Sequence, residues 1–545
     1  MVALFEQLAR LSRTVAPLQP VQLVGQLRQR LWQRRPSPPT NLPAWRSCQG
    51  SWVKPIAKKR AMLGERRFRF VGIDGKLGDD GWHAHHLPLL WRYNLHYLDE
   101  LTSDNSEQRE AELSSLLMRW IREVEPGTEV AWDPYPLSLR IVNIVKLGLR
   151  RGGLQRSVRA SLAHQARWLA ANLETHLLAN HYFTNGKALF FAGSLLEGEE
   201  SGEWRKRGAQ IVAEQVEEQF LDDGGHYERS PMYQAILTED LLDLVNLCRH
   251  CEHGPLLASL EAHASRAVEW LIAMCHPDGD ISFFNDSALG VAPRPYRIAD
   301  YANRLAIKFD PLPGSRLLRS SGYARLKAGD AVVLADAAPL GPEYQPGHGH
   351  ADTLSFELSV GPQRVVVNSG ISHYECDSER LRQRATAAHS TLVFDDKDSS
   401  EVWSAFRVGR RARPLIEKFD RDAGVFKAAH DGYAHLPGKP VHRRSWTLDT
   451  GCLAVTDWID ARRGRTARAY FHLHPDLEVE HHCEDGIVLR ASRLRVGVKA
   501  DFPLVIEFGS WHPRFGERVG NCALRIDWDD PDAEICQTRF TWSDA

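Results

Sequence analysis

Apolar residues between about residues 85 and 310 recur with helical spacing. Leu113, Leu116, Leu117, Trp120 and Ile121 in "AELSSLLMRWI" follow the i, i+3, i+4, i+7, i+8 rule, and Leu162, Ala166, Leu169, Leu173 and Leu177 form a second stripe. "AQIVAEQVEEQF" and "TEDLLDLVNLC" extend the pattern; "EPGTE", "RGG", "DDGG" and "HPDGD" break it. No stretch repeats at a fixed period, which argues against a solenoid of identical units and for antiparallel helix hairpins joined by long polar loops. Past "DPLPGS" the period falls to two. "SGYARLKAGDAVVLADAA", "TLSFELSVGPQRVVVNSG", "SWTLDTGCLAVTDWIDA" and "GIVLRASRLRVGVKADFPLVIEFG" are short alternating runs divided by turn residues. They predict antiparallel sheets packed face to face. The expected fold class is multidomain, α then β: a lead-in and linker over 1–60, a helical part over 61–314, and a β-sandwich over 315–545.

Composition narrows the function classes. A chain of 545 residues is long enough for two or three cores. Its formal net charge of −2 excludes a globally basic nucleic-acid binder, so attraction to any anion must come from a local cluster. Nine cysteines cannot all pair, and the only close pair, Cys248 and Cys251 in "CRHC", is half of a zinc site. Reduced core cysteines are expected. No apolar run reaches the roughly 18 residues of a membrane span. The N-terminal stretch "MVALFEQLARLSRTVAPLQPVQLVGQLRQRLWQRRP" has no basic start, continuous apolar centre or small-residue cleavage site, so it does not read as a Sec signal peptide. The expected location is therefore cytoplasmic or peripheral to an inner membrane. Arg10, Arg13, Arg28, Arg30, Arg34 and Arg35 stand there against one acid, Glu6. Two readings stay open: a helical lead-in packed on the body, or a peripheral membrane contact. "PSPPTNLP" after it reads as a linker.

Several loops of the helical part carry more polar and aromatic residues than a connection needs. "LWRYNLHYLDEL" holds Asn94, "AWDPYPLSLR" holds Tyr135 and Arg140, and "LLANHYFTNGKALFF" holds Asn180, His181 and Asn185. "DDGGHYERSPMYQAI" offers His226, Tyr227, Glu228, Arg229 and Tyr233, and "HPDGDISFFNDSA" offers Asp278, Asp280, Asn285 and Asp286. Any one of these reads equally as a capped helix end. Their recurrence, with aromatic faces beside hydrogen-bonding groups, is what a sugar cleft requires. In the β part, "PGHGHADTLSFEL" spaces His348, His350 and Asp352 so that an extended chain projects all three to one face. That suits a metal site, an acid/base site or a buried polar pair.

Taken in order, "NLHY", "WDPYPLSLR", "NHYFTNGKALFFAG", "DGGHYERSPMYQ", "GHGHADTLSFEL", "NSGISHYE", "RATAAHSTLVFDD" and "SSEVWSAFRVGRRA" resemble the heparinase II/III-like family of polysaccharide lyases, from about residue 85 to about 460. The resemblance implies an N-terminal incomplete (α/α) toroid, a C-terminal β-sandwich with the cleft between them, and β-elimination on an acidic, uronate-containing polysaccharide or oligosaccharide. It gives Asn180 the uronate carboxylate, with His181 assisting. It makes Tyr233, with Tyr227 as competitor, and His348 the base and acid. A phenol in that role needs its pKa lowered by a cation, for which Arg229 and His226 are at hand in sequence. Asn94, Tyr135, Arg140 and Arg384 are further substrate-binding candidates; Arg384 and Arg407 suit a second carboxylate. It also implies a structural zinc on His350, His389 and the residue at Asn368. An amide oxygen is a poorer zinc ligand than a carboxylate, and Asp352 is the carboxylate available to replace it or to orient His350. Two other functions compete: a hydrolase using two of Glu228, Asp278, Asp280 and Asp286, and a glycan-binding or editing protein of capsule or lipopolysaccharide assembly.

Overall fold

The chain opens with two helices, α1 (Val2–Val15) and α2 (Pro20–Leu31). The computed structural model describes residues 2–31, 34–311, 313–483 and 486–544. The chain that follows, from Arg46 to Lys58, is pinned to the helical part. Arg46 N–H donates to the Leu195 carbonyl, Gly50 N–H to the His250 carbonyl, and Lys58 N–H to the Thr102 carbonyl. Cys48 and Cys251 form a disulfide, with Cα atoms 5.0 Å apart and 203 residues between them in sequence. This corrects the expectation of reduced cysteines throughout. Only Cys248 of the "CRHC" pair is a free buried thiol, because the partner of Cys251 is remote in sequence.

A small antiparallel sheet (Met62–Gly64, Arg67–Phe70, Ile73–Lys76) precedes the helices. Helices then run in succession from Leu89 to Arg304. The expected stripes face inward: Leu113, Leu116, Leu117 and Trp120 are at most 2% exposed. Helix Ala179–Leu195 is buried along nearly its whole length against helix Glu199–Gln219. Glycines allow that approach. A Cβ at Gly193 would lie 2.3 Å from the Arg205 amide nitrogen, and one at Gly208 2.4 Å from that of Phe190. The close seam holds the N-terminal end of Ala179–Leu195, and with it Asn180 and His181, in a fixed place.

From Arg316 onward the chain is mainly β, interrupted by a short helix at Ser378–Arg384. Two antiparallel sheets, of eight and nine strands, carry almost all of it. Cys452–Ile459 alternates half-buried and buried along its whole length, the pattern of a strand with one face on a core. The inner faces interlock: Phe356 meets Trp446 with ring centroids 6.3 Å apart, and Phe471 meets Phe540 at 5.3 Å. Arg444 crosses the same interior, paired through two bonds with Asp457 and donating to the carbonyls of Leu354 and Ser390. The fold is thus an N-terminal helical part followed by a β-sandwich, as the periodicity predicts.

Candidate active site

Four loop segments bring polar side chains to the junction of the two halves, and three of them turn through left-handed backbone. Leu178 (φ 59°) and Ala179 (φ 50°) bend the chain into helix Ala179–Leu195, which Asn180 and His181 open. Arg229 (φ 57°) reverses the chain between Glu228 and helix Pro231–His250; Ser230 caps that helix by accepting the Tyr233 N–H. Asn285 (φ 54°) precedes Asp286. Non-glycine residues in this region are strained and gather where a site over-determines them. The fourth segment is the loop before strand Phe356–Val360, which carries His348 and His350.

These groups touch in sequence. The Asn180 amide donates to both oxygens of Glu228 at 3.0 and 3.1 Å. The other Glu228 face lies 3.9 Å from His348 Nε2, and His348 Nδ1 is 2.9 Å from Asp286. The Tyr233 ring lies on the His348 imidazole, centroids 4.0 Å apart, and its hydroxyl meets that of Tyr374 at 3.3 Å. Asp286 is fully buried; it accepts two bonds from Arg380 (2.5 and 2.8 Å) and one from His350 Nε2 (2.9 Å). His181 Nδ1 is 3.0 Å from Glu174, and its ring packs on Tyr135 with centroids 4.4 Å apart. The carboxylates of Glu228 and Asp286 are sealed away, whereas Tyr233, His348, His181, Tyr135 and Tyr374 are half-buried. A cavity of about 450 Å³ opens against Tyr374, lined also by Ile73, Leu90, Phe515 and Arg518.

The charges follow from these contacts. Burial opposes ionisation of Asp286, but Arg380 and the two imidazoles outweigh it and hold the carboxyl well below the usual range. Burial, reinforced by Tyr374 and Tyr135, raises the Tyr233 phenol well above its ordinary value, which corrects the expectation of a phenol lowered by a neighbouring cation. For His181 burial works against the proton, yet Glu174 prevails and the net shift is upward.

Other expected residues lie elsewhere or do other work. Arg229 is no cation for Tyr233: its guanidinium donates to the carbonyls of Ser321 and Tyr227. His226 is held by Gln219 and pushed down by burial to about 4, hence neutral. Arg140 is fully buried, lies 4.0 Å over Trp120, and donates to Gln165 and to the His96 and Ala131 carbonyls. Arg384 is likewise buried and donates to the Gly349, Ser404 and Arg407 carbonyls, so it ties down the loop between His348 and His350. Asn94 donates to the Leu90 carbonyl within its own helix. Sequence alone does not single out Arg380 or Tyr374: the tyrosine lies in "NSGISHYE", but nothing in "DSERLRQR" marks Arg380 as the partner of Asp286. Of the four acids a hydrolase could draw on, Glu228 and Asp286 both face the His348 imidazole, Asp278 pairs with Arg364, and Asp280 pairs with Arg294.

Behind this row lies a second cluster. Donor atoms of His350, Asp352 and His389 all fall within 4.8 Å of one another, and all three residues are buried. His350 Nδ1 faces His389 Nε2 at 3.3 Å, while the other His350 nitrogen is fixed by Asp286. A carboxylate on the far nitrogen of an imidazole is the usual support for a metal ligand. Burial pushes His350 down to about 4 and Asp352 up to about 7, and His389 Nδ1 is buried without a partner. Two neutral imidazoles and a carboxyl in want of a cation fit zinc. Asn368, expected as the third ligand, spends its amide oxygen on the Ser390 N–H; the nearby carboxylate is that of Asp352.

Residues 156–303 match the family model described as "Heparinase II/III N-terminus", and residues 310–530 that described as "Heparinase II/III-like, C-terminal". The chain is 25% identical to heparin-sulfate lyase of Pedobacter heparinus over 254 residues, 42% of this chain and 38% of that protein. It is 27% identical to FtsZ-localized protein C of Caulobacter vibrioides over 348 residues, 58% of this chain and 56% of that one. The matches therefore span less than two thirds of either relative. In fold, it is similar to a mutant of heparan sulfate lyase HepC from Pedobacter heparinus (TM-score 0.61, 16% identity, 88% of this chain and 81% of that one). It is also similar to heparinase III (TM-score 0.63, 15% identity, 84% and 76%).

Proposed function

The chain belongs to the heparinase II/III-like family, and from that premise we propose that it is a polysaccharide lyase cleaving a uronate-containing glycan by β-elimination. The row Asn180–Glu228–His348–Tyr233, drawn from both halves of the molecule, carries the reading. A C5 proton beside a carboxylate is hard to remove unless donors offset the growing negative charge. Asn180 supplies an amide, which has to turn part of its donation from Glu228 to the uronate carboxylate, and His181, favoured in its charged form by Glu174, supplies a cation. His348 Nε2 takes the C5 proton, and Asp286 on Nδ1 steadies the imidazolium that results. The electrons of the C5–H bond form C4=C5, the bond from C4 to the glycosidic oxygen breaks, and Tyr233 delivers its proton to that oxygen. A phenol held protonated by its surroundings suits that last task. Fold likeness does not name the polymer.

The deciding experiment is incubation with a panel of uronate polymers while ultraviolet absorbance of the conjugated C4=C5 product is followed. Absorbance that rises with chain cleavage is expected; cleavage without it would sink the eliminase reading in favour of hydrolysis. A second reading, a glycan-binding or editing protein of capsule or lipopolysaccharide biosynthesis, draws on the exposed arginines of the lead-in, Arg28, Arg30, Arg34 and Arg35. It predicts glycan binding with no absorbing ends.

The same reading includes a structural zinc on His350, His389 and Asp352, which would cross-link the loop carrying His348 to the segment after helix Ser378–Arg384. Elemental analysis of the purified chain is expected to give about one zinc per chain, lost in His389→Ala, with chelation lowering the melting temperature. Metal-free protein with an unchanged melting curve in chelator would remove zinc from the account.

A further inference from the structure

The two lead-in helices are packed with their polar side inward. Arg10 and Arg13 both pair with Glu401, and Thr14 accepts from the Trp403 indole. On α2, Gln22 donates to the Tyr344 carbonyl, and a Cβ at Gly25 would lie 2.8 Å from the His176 amide nitrogen, so that helix rests on both halves of the molecule. The outward faces are apolar. Phe5, Leu8, Leu11 and Val15, spaced three to four apart, are 75, 57, 42 and 48% exposed on α1. Val24, Leu27 and Leu31 are 64, 59 and 62% exposed on α2. Nine of the eighteen large apolar side chains exposed among the described residues belong to these two short helices, which makes the patch a built feature and not scatter.

Beside this patch lie Arg28, Arg30, Arg34 and Arg35, all exposed, and among the described residues none of them pairs with a carboxylate. The lone acid of the lead-in is Glu6. Apolar stripes next to uncompensated arginines suit a helix lying in the interface of an anionic bilayer. We propose that α1 and α2 dock the protein on an anionic membrane surface, apolar faces in the acyl boundary and arginines at the headgroups. No helix among the described residues is long and apolar enough to cross the bilayer, so the contact is peripheral.

The position of the hairpin adds a consequence, which rests on the lyase reading. Its supports are rims of the candidate site: His176 lies just before Asn180, Tyr344 just before His348, and Glu401 and Trp403 just before Phe406, whose ring meets His348 at 6.2 Å. Docking would hold the cleft beside the bilayer, so the glycan it accepts is one attached to, or growing at, the membrane.

Sedimentation of the full chain with lipid vesicles tests the docking independently of turnover. Binding to vesicles containing phosphatidylglycerol is expected, weakened by salt and at least about tenfold weaker on pure phosphatidylcholine. Leu8→Glu/Leu27→Glu and, separately, Arg28→Glu/Arg30→Glu are expected to lower binding at least about tenfold with the melting curve unchanged, since all four side chains are exposed. Protein left in the supernatant with every vesicle overturns the proposal, as does binding that survives both variants. A solution dimer that Leu8→Glu/Leu27→Glu dissociates, with no vesicle binding, overturns it too and assigns the face to a second copy. Failure of the lyase assay would leave vesicle binding intact and remove only the choice of glycan.

Discussion

Tyr233→Phe is expected to lower kcat by about 10²–10⁴-fold while leaving glycan binding and the melting temperature nearly unchanged. The substitution keeps the ring that lies 4.0 Å from the His348 imidazole and deletes only the hydroxyl. Among the described residues that hydroxyl's partner is the Tyr374 hydroxyl at 3.3 Å, so its loss leaves no buried charge stranded. A positioned proton donor is worth about 10²–10⁴ in rate, and the leaving sugar oxygen is a poor leaving group without one. Tyr374→Phe should cost far less, because that phenol touches the donor and not the substrate bond. The comparison variant is Glu228→Gln. In a hydrolase it would abolish turnover and Tyr233→Phe would not. In an eliminase it disturbs how Asn180 and His348 are held, and the tyrosine remains the costlier loss. Turnover within tenfold of wild type in Tyr233→Phe, measured by ultraviolet absorbance at saturating polymer, would end the role given to the phenol.

The parts of the fold legible in the sequence are those in which one element satisfies its own pattern. The Leu113–Trp120 stripe and the alternation in Cys452–Ile459 repeat often enough to declare helix and strand without a partner. The small sheet over Met62–Lys76 does not. It is short and charged, and its stability comes from outside, with Phe70 on Trp91 and Gly75 so close to Trp91 that a Cβ would lie 2.3 Å from the ring. The site divides in the same way. Only the family resemblance separates Asn180 and Tyr233 from capped helix ends, whereas His348 stands out by its spacing; contacts through Glu228 and the His348 ring link the three. Their partners are set by tertiary contact. Arg229 and His226 are close to Tyr233 in sequence, but the left-handed turn at Arg229 sends its guanidinium to the carbonyls of Ser321 and Tyr227 instead. Arg380 meets Asp286 across 94 residues, and Cys48 meets Cys251 across 203. No periodicity reaches that far.

Asp286→Asn should produce the largest stability loss of any single change at the site, about 3–5 kcal/mol, because removing one partner of a buried ion pair strands the other. Arg380 and Asp286 are both fully buried, and the carboxylate takes two bonds from that guanidinium as well as one from each of His348 and His350. An amide keeps the shape, cannot neutralise Arg380, and turns a donor toward groups that themselves donate. A melting temperature lowered by many degrees is the expected reading, with activity lost. Loss of activity alone would not separate a clasp from a catalytic support, but the double variant Arg380→Met/Asp286→Leu does. Replacing a buried pair by apolar residues of similar size is often neutral or stabilising, so most of the lost stability should return. Activity should not, because His348 would still lack the carboxylate that fixes its Nδ1–H and leaves Nε2 facing Glu228 and the cleft. Recovery of both would make Asp286 a structural residue only; recovery of stability without turnover ties the orientation of His348 directly to proton abstraction.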